Sequence, residues 1–428
     1  MLVGSTVRRV AIVGGVRIPF ARAHTAYASV GNQDMLTAVL RVLVERFELT
    51  GVRLGDVAAG AVIKHSRDYN LTRECVLSCG LDPQTPGLDL QRACGTSLEA
   101  AIAMANKIAL GQIDCAIAGG VDSISDPPIV YPRAYQQLLL ASARGKSPGQ
   151  RLAPWLRLRP RHFKPVLPAV VEPRTGLSMG QSTELMVQRW GIGREEQDRL
   201  ACESHMKAAA AWREGFYDDL VVPYLGLKTD NNIRADTSLE KLSRLRASFD
   251  PRDGTLTAGN STPLTDGASA VLLASEEWVA RRNLPVLAWL RHGKVWAVDF
   301  ASGKEGLLMA PAYAVPAMLR DAGLTLQDFD YYEIHEAFAA QVLCTLAAWQ
   351  SPEFCREALG LAAPLGAIDR ARLNVKGGSV AIGHPFAATG TRIVATLAKL
   401  LAGDPGAKRG LVSVCTAGGM GVTAIIER

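Results

Sequence analysis

No apolar run in this 428-residue chain approaches the roughly 20 residues that a membrane-spanning helix needs. The start, MLVGSTVRRVAIVGG, enters an apolar strand without signal or transit character, so a soluble cytoplasmic protein is expected. The eight cysteines form no CxxC pair and no Cys/His ligand spacing, which leaves neither a zinc module nor a disulfide framework. Free thiols in a reducing compartment follow. Zinc-finger spacing, a basic recognition helix and an RNP-like aromatic motif are also missing. Nucleic acid is therefore not an expected partner, despite a formal charge of +6. Charged residues make up only 21% of the chain, and Asp and Glu are absent altogether from Pro127 to Val171. That stretch carries Arg133, Arg144, Lys146, Arg151, Arg157, Arg159, Arg161 and Lys164.

What the chain has in quantity is apolar, Gly- and Ala-rich sequence suited to tight helix–sheet packing. Arg9 to Gly14 reads as a buried strand, followed by a helix near Gln33–Arg46, a strand near Asp56–Ile63 and a helix over Leu71–Cys79. Cys75 and Cys79 sit one helical turn apart on what reads as a packed face. A strand at Asp114–Ala118 continues the alternation, which implies an α/β sheet with helical layers. From Ser125 to about Pro173 the period is lost in Pro- and Arg-rich sequence, an excursion outside the core. Helical spacing returns at Gly180–Gly191 and Arg194–Gly215, and Pro251–Ser275 reads as strand, glycine turn and strand.

The stretch DLQRACGTSLEAA, Asp89 to Ala101, places Cys94 where an extended segment meets a helix. A thiol at a helix N-terminus is favoured as thiolate, so a lowered pKa is expected there. Most free cysteines are simply small core residues, and a lone Cys is a candidate nucleophile only where a base lies elsewhere. The second half supplies candidates. DYYEIHEAFAAQVL runs from Asp330 to His335 and an Ala-rich helix, as Asp89 runs to Cys94. SVCTAGGMGVTAIIE echoes TAGNSTPLTDGASAVLLAS, which suggests two copies of one α/β unit with the Pro/Arg-rich segment inserted in the first. His384, in GGSVAIGHPFAATG, and Cys415, in CTAGGMG, lie on glycine-rich segments whose backbone N–H groups can point at a ligand.

The ordered set RACGTS, TAGNSTPLTDGASA, HEAF, GGSVAIGHPFAATG and CTAGGMG resembles the thiolase family over Val10 to Ile426. HEAF in place of NEAF makes it similar to the β-oxidation thiolases related to the trifunctional-enzyme β subunit. The resemblance implies an α/β thiolase fold: two duplicated halves in a layered αβαβα arrangement with an inserted loop domain. The boundaries would fall at 1–124 and 251–280 for the first half, 125–250 for the insertion and 281–428 for the second half. It implies a 3-oxoacyl-CoA thiolase, an acetyl-CoA C-acyltransferase of fatty-acid β-oxidation, reversible as a Claisen condensation. Cys94 would carry the acyl group, His384 would take its proton, and Cys415 would exchange a proton with the α-carbon. His335 and His384 would donate to the enolate oxygen, and the N–H groups of Cys94 and Ala417 would hold the thioester oxygen. Ser261 or Thr262 would meet the CoA pantetheine and Met179 would line the acyl pocket, although a tight turn with Ser/Thr caps and a core Met explain those residues as simply.

No permanently bound cofactor and no metal are implied; CoA and acyl-CoA are substrates. The family forms dimers or dimers of dimers, so a homodimer or homotetramer is expected, with a hydratase/dehydrogenase subunit as an open partner. The basic 127–171 segment, with Trp155 and Phe163 among its leucines, reads as a solvated loop, a CoA phosphate contact, or a docking surface for a partner enzyme or for peripheral membrane contact. Three competing readings are a biosynthetic acetoacetyl-CoA thiolase, a decarboxylating ketoacyl-synthase-type enzyme and a non-catalytic lipid-binding scaffold. Cys415 argues against the second, since decarboxylation makes its carbanion without a base.

Overall fold

The computed structural model describes residues 7–168 and 171–428. The expectation of no leader therefore rests partly on residues outside those described, as do two positions at the end of the basic segment. The strands are β1 (Val10–Arg17), β2 (Ala21–Arg22), β3 (Asp56–Ala59), β4 (Gly87–Asp89), β5 (Cys115–Asp122), β6 (Thr265–Ser275), β7 (Ala288–Ala297), β8 (Tyr331–Ile334), β9 (Arg409–Thr416) and β10 (Met420–Glu427).

They hydrogen-bond in the order β4-β3-β5-β6-β1-β7-β10-β9-β8, with β2 paired to β6. About the β1–β7 contact the order is mirrored. β3 runs parallel to β5, which pairs antiparallel to β6 and β6 to β1; β8 runs parallel to β9, β9 antiparallel to β10 and β10 to β7. The layers follow from strand alternation, because successive side chains leave opposite faces. Ala116, Val271, Leu273, Val412, Val414 and Val422 face a central layer made by helices Thr96–Ala109 and Thr389–Gly403. Their neighbours Ile117, Ala270 and Leu272 face the helix Asn32–Arg46 on one outside. Leu411, Cys415 and Ile425 face helices Ala310–Ala322 and Ala339–Gln350 on the other. Both central helices are therefore apolar on nearly all sides, as a layer packed between the two halves of the sheet requires.

The mirrored order corrects the correspondence expected between the halves. The helix Thr389–Gly403, not Ala339–Gln350, matches Thr96–Ala109, since each precedes the strand that sits third from its half's centre. His384 thus occupies the loop equivalent to that of Cys94, and His335 follows β8 as Gly60 follows β3. The hairpin β9–β10, closed by 417–419, matches β5–β6, whose connection is the whole of residues 123–264. Pro251–Leu264 forms no strand of its own; β6 begins at Thr265, and only isolated bridges such as Ser261 to Phe338 precede it. The excursion is also more ordered than its composition suggests. It forms a helix over Arg133–Arg144 with no buried residue and a short one over Pro148–Leu152.

Candidate active site

Cys94 sits in the turn between β4 and the helix Thr96–Ala109, whose N-cap is Gly95. Ala93 just before it is held at φ 43°, a left-handed conformation uncommon outside glycine and asparagine. The turn is tied internally, with Arg92 N–H donating to Thr96 Oγ1 at 2.9 Å. Burial pushes the Cys94 thiol up to about 12, while the N–H of Ala417 and that of Cys94 itself pull it down. The thiolate expected from the helix terminus is therefore not the resting form. Desolvation outweighs the helix dipole here, and the group rests as a thiol.

His384 follows Gly383, which adopts φ 108°. Its loop lies against β5 so closely that a Cβ on Gly120 would stand 2.1 Å from Ala387 O. Asp122, at the end of β5, clasps that loop by accepting Ala387 N–H at 2.6 Å, and it also accepts Val62 and Ile63 N–H. His335 leaves the end of β8, with its N–H donating to Ser413 O at 2.8 Å. The two imidazoles meet with ring centroids 4.1 Å apart and planes inclined at 47°. Cys94 Sγ and one ring nitrogen of each histidine lie within 4.8 Å of one another. Both Nδ1 atoms are engaged, His335 with Ser379 Oγ at 2.8 Å and His384 with Thr389 Oγ1 at 2.5 Å. Both Nε2 atoms are buried without a partner among the described residues, so they are the atoms free for chemistry. Burial first, then the charge of Arg392, holds His384 down to about 3. Burial, His384 and Arg392 together hold His335 well below the usual histidine range. Both rings are neutral at rest.

Cys415 comes from the end of β9 and is fully buried. Burial, and then the neighbouring Cys94, raise its thiol well above the usual range. The turn that follows carries Ala417, whose N–H reaches Cys94. It is fixed from outside the sheet by Glu172, which accepts the Gly418 N–H at 2.6 Å.

Cys94, His384, Cys415 and Ala417 share the end of a cavity of about 340 Å³ whose walls are mostly apolar: Met179, Phe249, Leu264, Leu308, Phe338 and Phe386. Met179 and Thr262 both line it. The Thr262 hydroxyl donates to Ala337 O at 3.1 Å, whereas Ser261 is buried to one side of the cavity with its hydroxyl unpartnered among the described residues. His335 does not itself line this cavity; its ring packs against that of His384. On the far side of the TAGNST turn a second cavity of about 330 Å³ is lined by Arg22, His205, Arg234 and Lys241, and Gly259 and Pro263 border it.

Sequence reasoning gathers Cys94, His335, His384, Cys415, Ala417, Thr262 and Met179 at one place, and the structure puts them there. It misses Ser379, Thr389 and Arg392, although GGSVAIGHPFAATG contains the first two. It also misses Asp122 and Glu172, for which no local motif exists. Cys94 and the two histidines form a soft donor set of a kind that also serves zinc, though two neutral imidazoles beside a thiol are equally suited to moving a proton.

Residues 10–277 match the family described as thiolase, N-terminal domain, and residues 285–428 match thiolase, C-terminal domain. A 3-ketoacyl-CoA thiolase of Yersinia pestis (strain Pestoides F) is 41% identical over 426 residues, 98% of this chain and 97% of that protein. The crystal structure of the Bacillus anthracis acetyl-CoA acetyltransferase superposes with a TM-score of 0.83 at 29% identity, covering 99% of this chain and 100% of the other. Human mitochondrial 3-ketoacyl-CoA thiolase in complex with CoA gives a TM-score of 0.81 at 27% identity, covering 99% and 98%.

Proposed function

The chain belongs to the thiolase family, and from that premise we propose that it is a 3-ketoacyl-CoA thiolase, cleaving 3-oxoacyl-CoA with CoA to acetyl-CoA and a shortened acyl-CoA. The observation that carries the reading is the meeting of Cys94, two free Nε2 atoms, Cys415 and the Ala417 N–H at the end of an apolar cavity.

In the first half-reaction Cys94 Sγ attacks the 3-oxo carbon as its proton passes to His384 Nε2. The oxygen becomes anionic and is met by the N–H groups of Cys94 and Ala417. Collapse breaks the bond between C2 and C3, leaving an acyl thioester on Cys94 and the enolate of acetyl-CoA. His335 and the now protonated His384 donate to the enolate oxygen, and Cys415 gives its proton to C2. In the second half-reaction the thiol of a new CoA gives its proton to the Cys415 thiolate and attacks the thioester. The tetrahedral oxygen returns to the same two N–H groups, and Cys94 leaves with the proton held by His384. Each proton is returned, and no permanently bound cofactor or metal is needed. Cys94 starts as a thiol and His384 as a neutral base, so the proton has to pass to His384 for the sulfur to become the nucleophile.

The apolar walls favour an alkyl chain beyond acetyl, and Arg22, Arg234 and Lys241 across the TAGNST turn suit the phosphates of CoA. We place the enzyme in fatty-acid β-oxidation, in the cytoplasm, as a homodimer or homotetramer. The insertion exposes Leu152, Leu156 and Phe163 among its basic residues, which suits contact with an anionic membrane surface or a hydratase/dehydrogenase subunit. Thiolysis rates over a series of 3-oxoacyl-CoA chain lengths test the assignment. Activity rising from four carbons to longer chains is expected, and no activity at any length would overturn it.

A further inference from the structure

The inner nitrogens of the two histidines face different partners. Ser379 Oγ lies 2.8 Å from His335 Nδ1 and accepts from Arg392 Nη2 at 2.8 Å. Ser379 is fully buried, and no third partner reaches its hydroxyl among the described residues. A guanidinium only donates, so the one proton on Ser379 Oγ has a single acceptor within reach, His335 Nδ1. The opposite arrangement would strand a buried hydroxyl proton and leave a bare Nε2 on each ring. Arg392 is itself buried, with Glu333 Oε2 4.0 Å from its Nη1.

At His384 the order is reversed. Thr389 Oγ1 donates to Pro385 O at 3.3 Å, which leaves its lone pairs for His384 Nδ1–H at 2.5 Å. His384 then presents a bare Nε2 to the site.

We propose that Ser379, oriented by Arg392, is a positioning residue that fixes His335 as the Nε2–H tautomer, while Thr389 fixes His384 as the Nδ1–H tautomer. One ring is thereby set as a hydrogen-bond donor and the other as a proton acceptor before substrate arrives. The consequence for catalysis rests on the thiolase reading: His335 would offer its proton to the enolate oxygen without titrating, and His384 would be ready for the Cys94 proton. The tautomers themselves do not depend on that reading.

Long-range 1H–15N correlation spectra of the full chain labelled at histidine nitrogens test this directly, with the two rings assigned from His335→Asn and His384→Asn. The expected spectrum has His335 protonated at Nε2 and bare at Nδ1, and His384 the reverse. In Ser379→Ala the His335 pattern should move toward Nδ1–H. Thiolysis kcat should fall about 10- to 100-fold, short of losing an oxyanion donor outright, with KM within about twofold. The rate of Cys94 alkylation should stay the same, and Ser379→Thr, which keeps the hydroxyl, should recover the tautomer and most of kcat. An Nδ1–H form of His335 in the unaltered protein overturns the proposal even if Ser379→Ala fails to fold, and so does a Ser379→Ala protein with unchanged tautomer and kcat. A protein inactive on every substrate but with the expected spectrum would refute the thiolase reading and leave the positioning role standing.

Discussion

Glu172 accepts the Gly418 N–H at 2.6 Å, so a residue of the long insertion holds the three-residue turn that carries Ala417. The insertion replaces that turn's counterpart in the first half, and it has become the support for the turn in the second. Glu172→Ala should loosen the Ala417 N–H and lower kcat about tenfold or more, since one misplaced oxyanion donor is worth about 10²–10³. KM should change little, because the carboxylate does not line the acyl cavity. Glu172→Gln keeps an acceptor and should retain most of the activity. Steady-state kinetics of the pair decide the matter, and equal activity in all three proteins would dismiss the clasp.

With its thiol pushed up to about 12 by burial and no charged imidazole beside it, Cys94 should lack a neutral-pH thiolate. Its alkylation by iodoacetamide should accelerate about tenfold per pH unit through the neutral range without levelling, as thiolate fraction dictates. Rates from pH 6 to about 10, read by mass spectrometry at Cys94, would show this. A plateau below pH 8 would mean a preformed thiolate–imidazolium pair.

The four reactive side chains are readable from sequence because each stands in a segment of unusual composition: a Cys or His before an Ala-rich helix, or a His or Cys among glycines. Layering is readable too, since strand–helix alternation and the apolar central helix sequences leave few alternatives. What holds those side chains is less visible. Ser379 and Thr389 look like ordinary caps in a glycine-rich stretch, and Arg392 falls inside an apolar helix where only contact with Ser379 and Glu333 explains it. Glu172 meets its partner 246 positions away. The mismatch of the halves has a similar cause. Matching Asp89–Cys94 to Asp330–His335 follows local spacing, whereas the real correspondence depends on which strands become neighbours.

Cys415 and Cys94 share the site, and on the proposed mechanism only Cys94 carries the acyl group. In Cys415→Ala, acyl transfer from acetyl-CoA to Cys94 loses only the acid that protonates the departing CoA, so a slower but still detectable adduct should form, read by mass spectrometry. Thiolysis of 3-oxoacyl-CoA should fall by about 10²–10⁴, the usual worth of a positioned acid–base group. Cys94→Ala should abolish both. Unchanged thiolysis in Cys415→Ala would remove Cys415 from the mechanism.

The two central helices touch through glycine. A Cβ on Gly390 would lie 2.3 Å from the backbone N of Leu98, next to the point where Thr391 N–H donates to Ser97 Oγ at 2.9 Å. Gly390→Ala should therefore destabilise the fold by roughly 1–3 kcal/mol, the range for overpacking a tight core, and lower activity by shifting Cys94 relative to His384. Gly403, at the other end of the same helix, has nothing within 4 Å of its added Cβ. Gly403→Ala should be neutral or slightly stabilising. Urea midpoints of the two variants give the comparison.

His205 provides a test of pH dependence outside the reacting groups. Its Nδ1 accepts Arg234 N–H at 3.1 Å, and burial, with the Arg234 charge second, holds it down to about 4 from 6.5. Between those values the unfolded chain binds a proton that the folded protein refuses, so stability falls as pH falls through this window. The linked loss is roughly 3 kcal/mol by pH 4. Asp122 and Glu333 act in the other direction. Burial raises them to about 7 and about 8, so their contribution is present at low pH and lost as pH rises through those values. The pH profile of the intact protein therefore mixes both signs, and only a difference isolates His205. His205→Gln, which keeps an amide oxygen to accept from Arg234, should give a stability profile that is flatter on the acid side by about that amount. Urea unfolding of both proteins from pH 4 to 7 measures it, and parallel profiles would show that His205 titrates freely in the folded state.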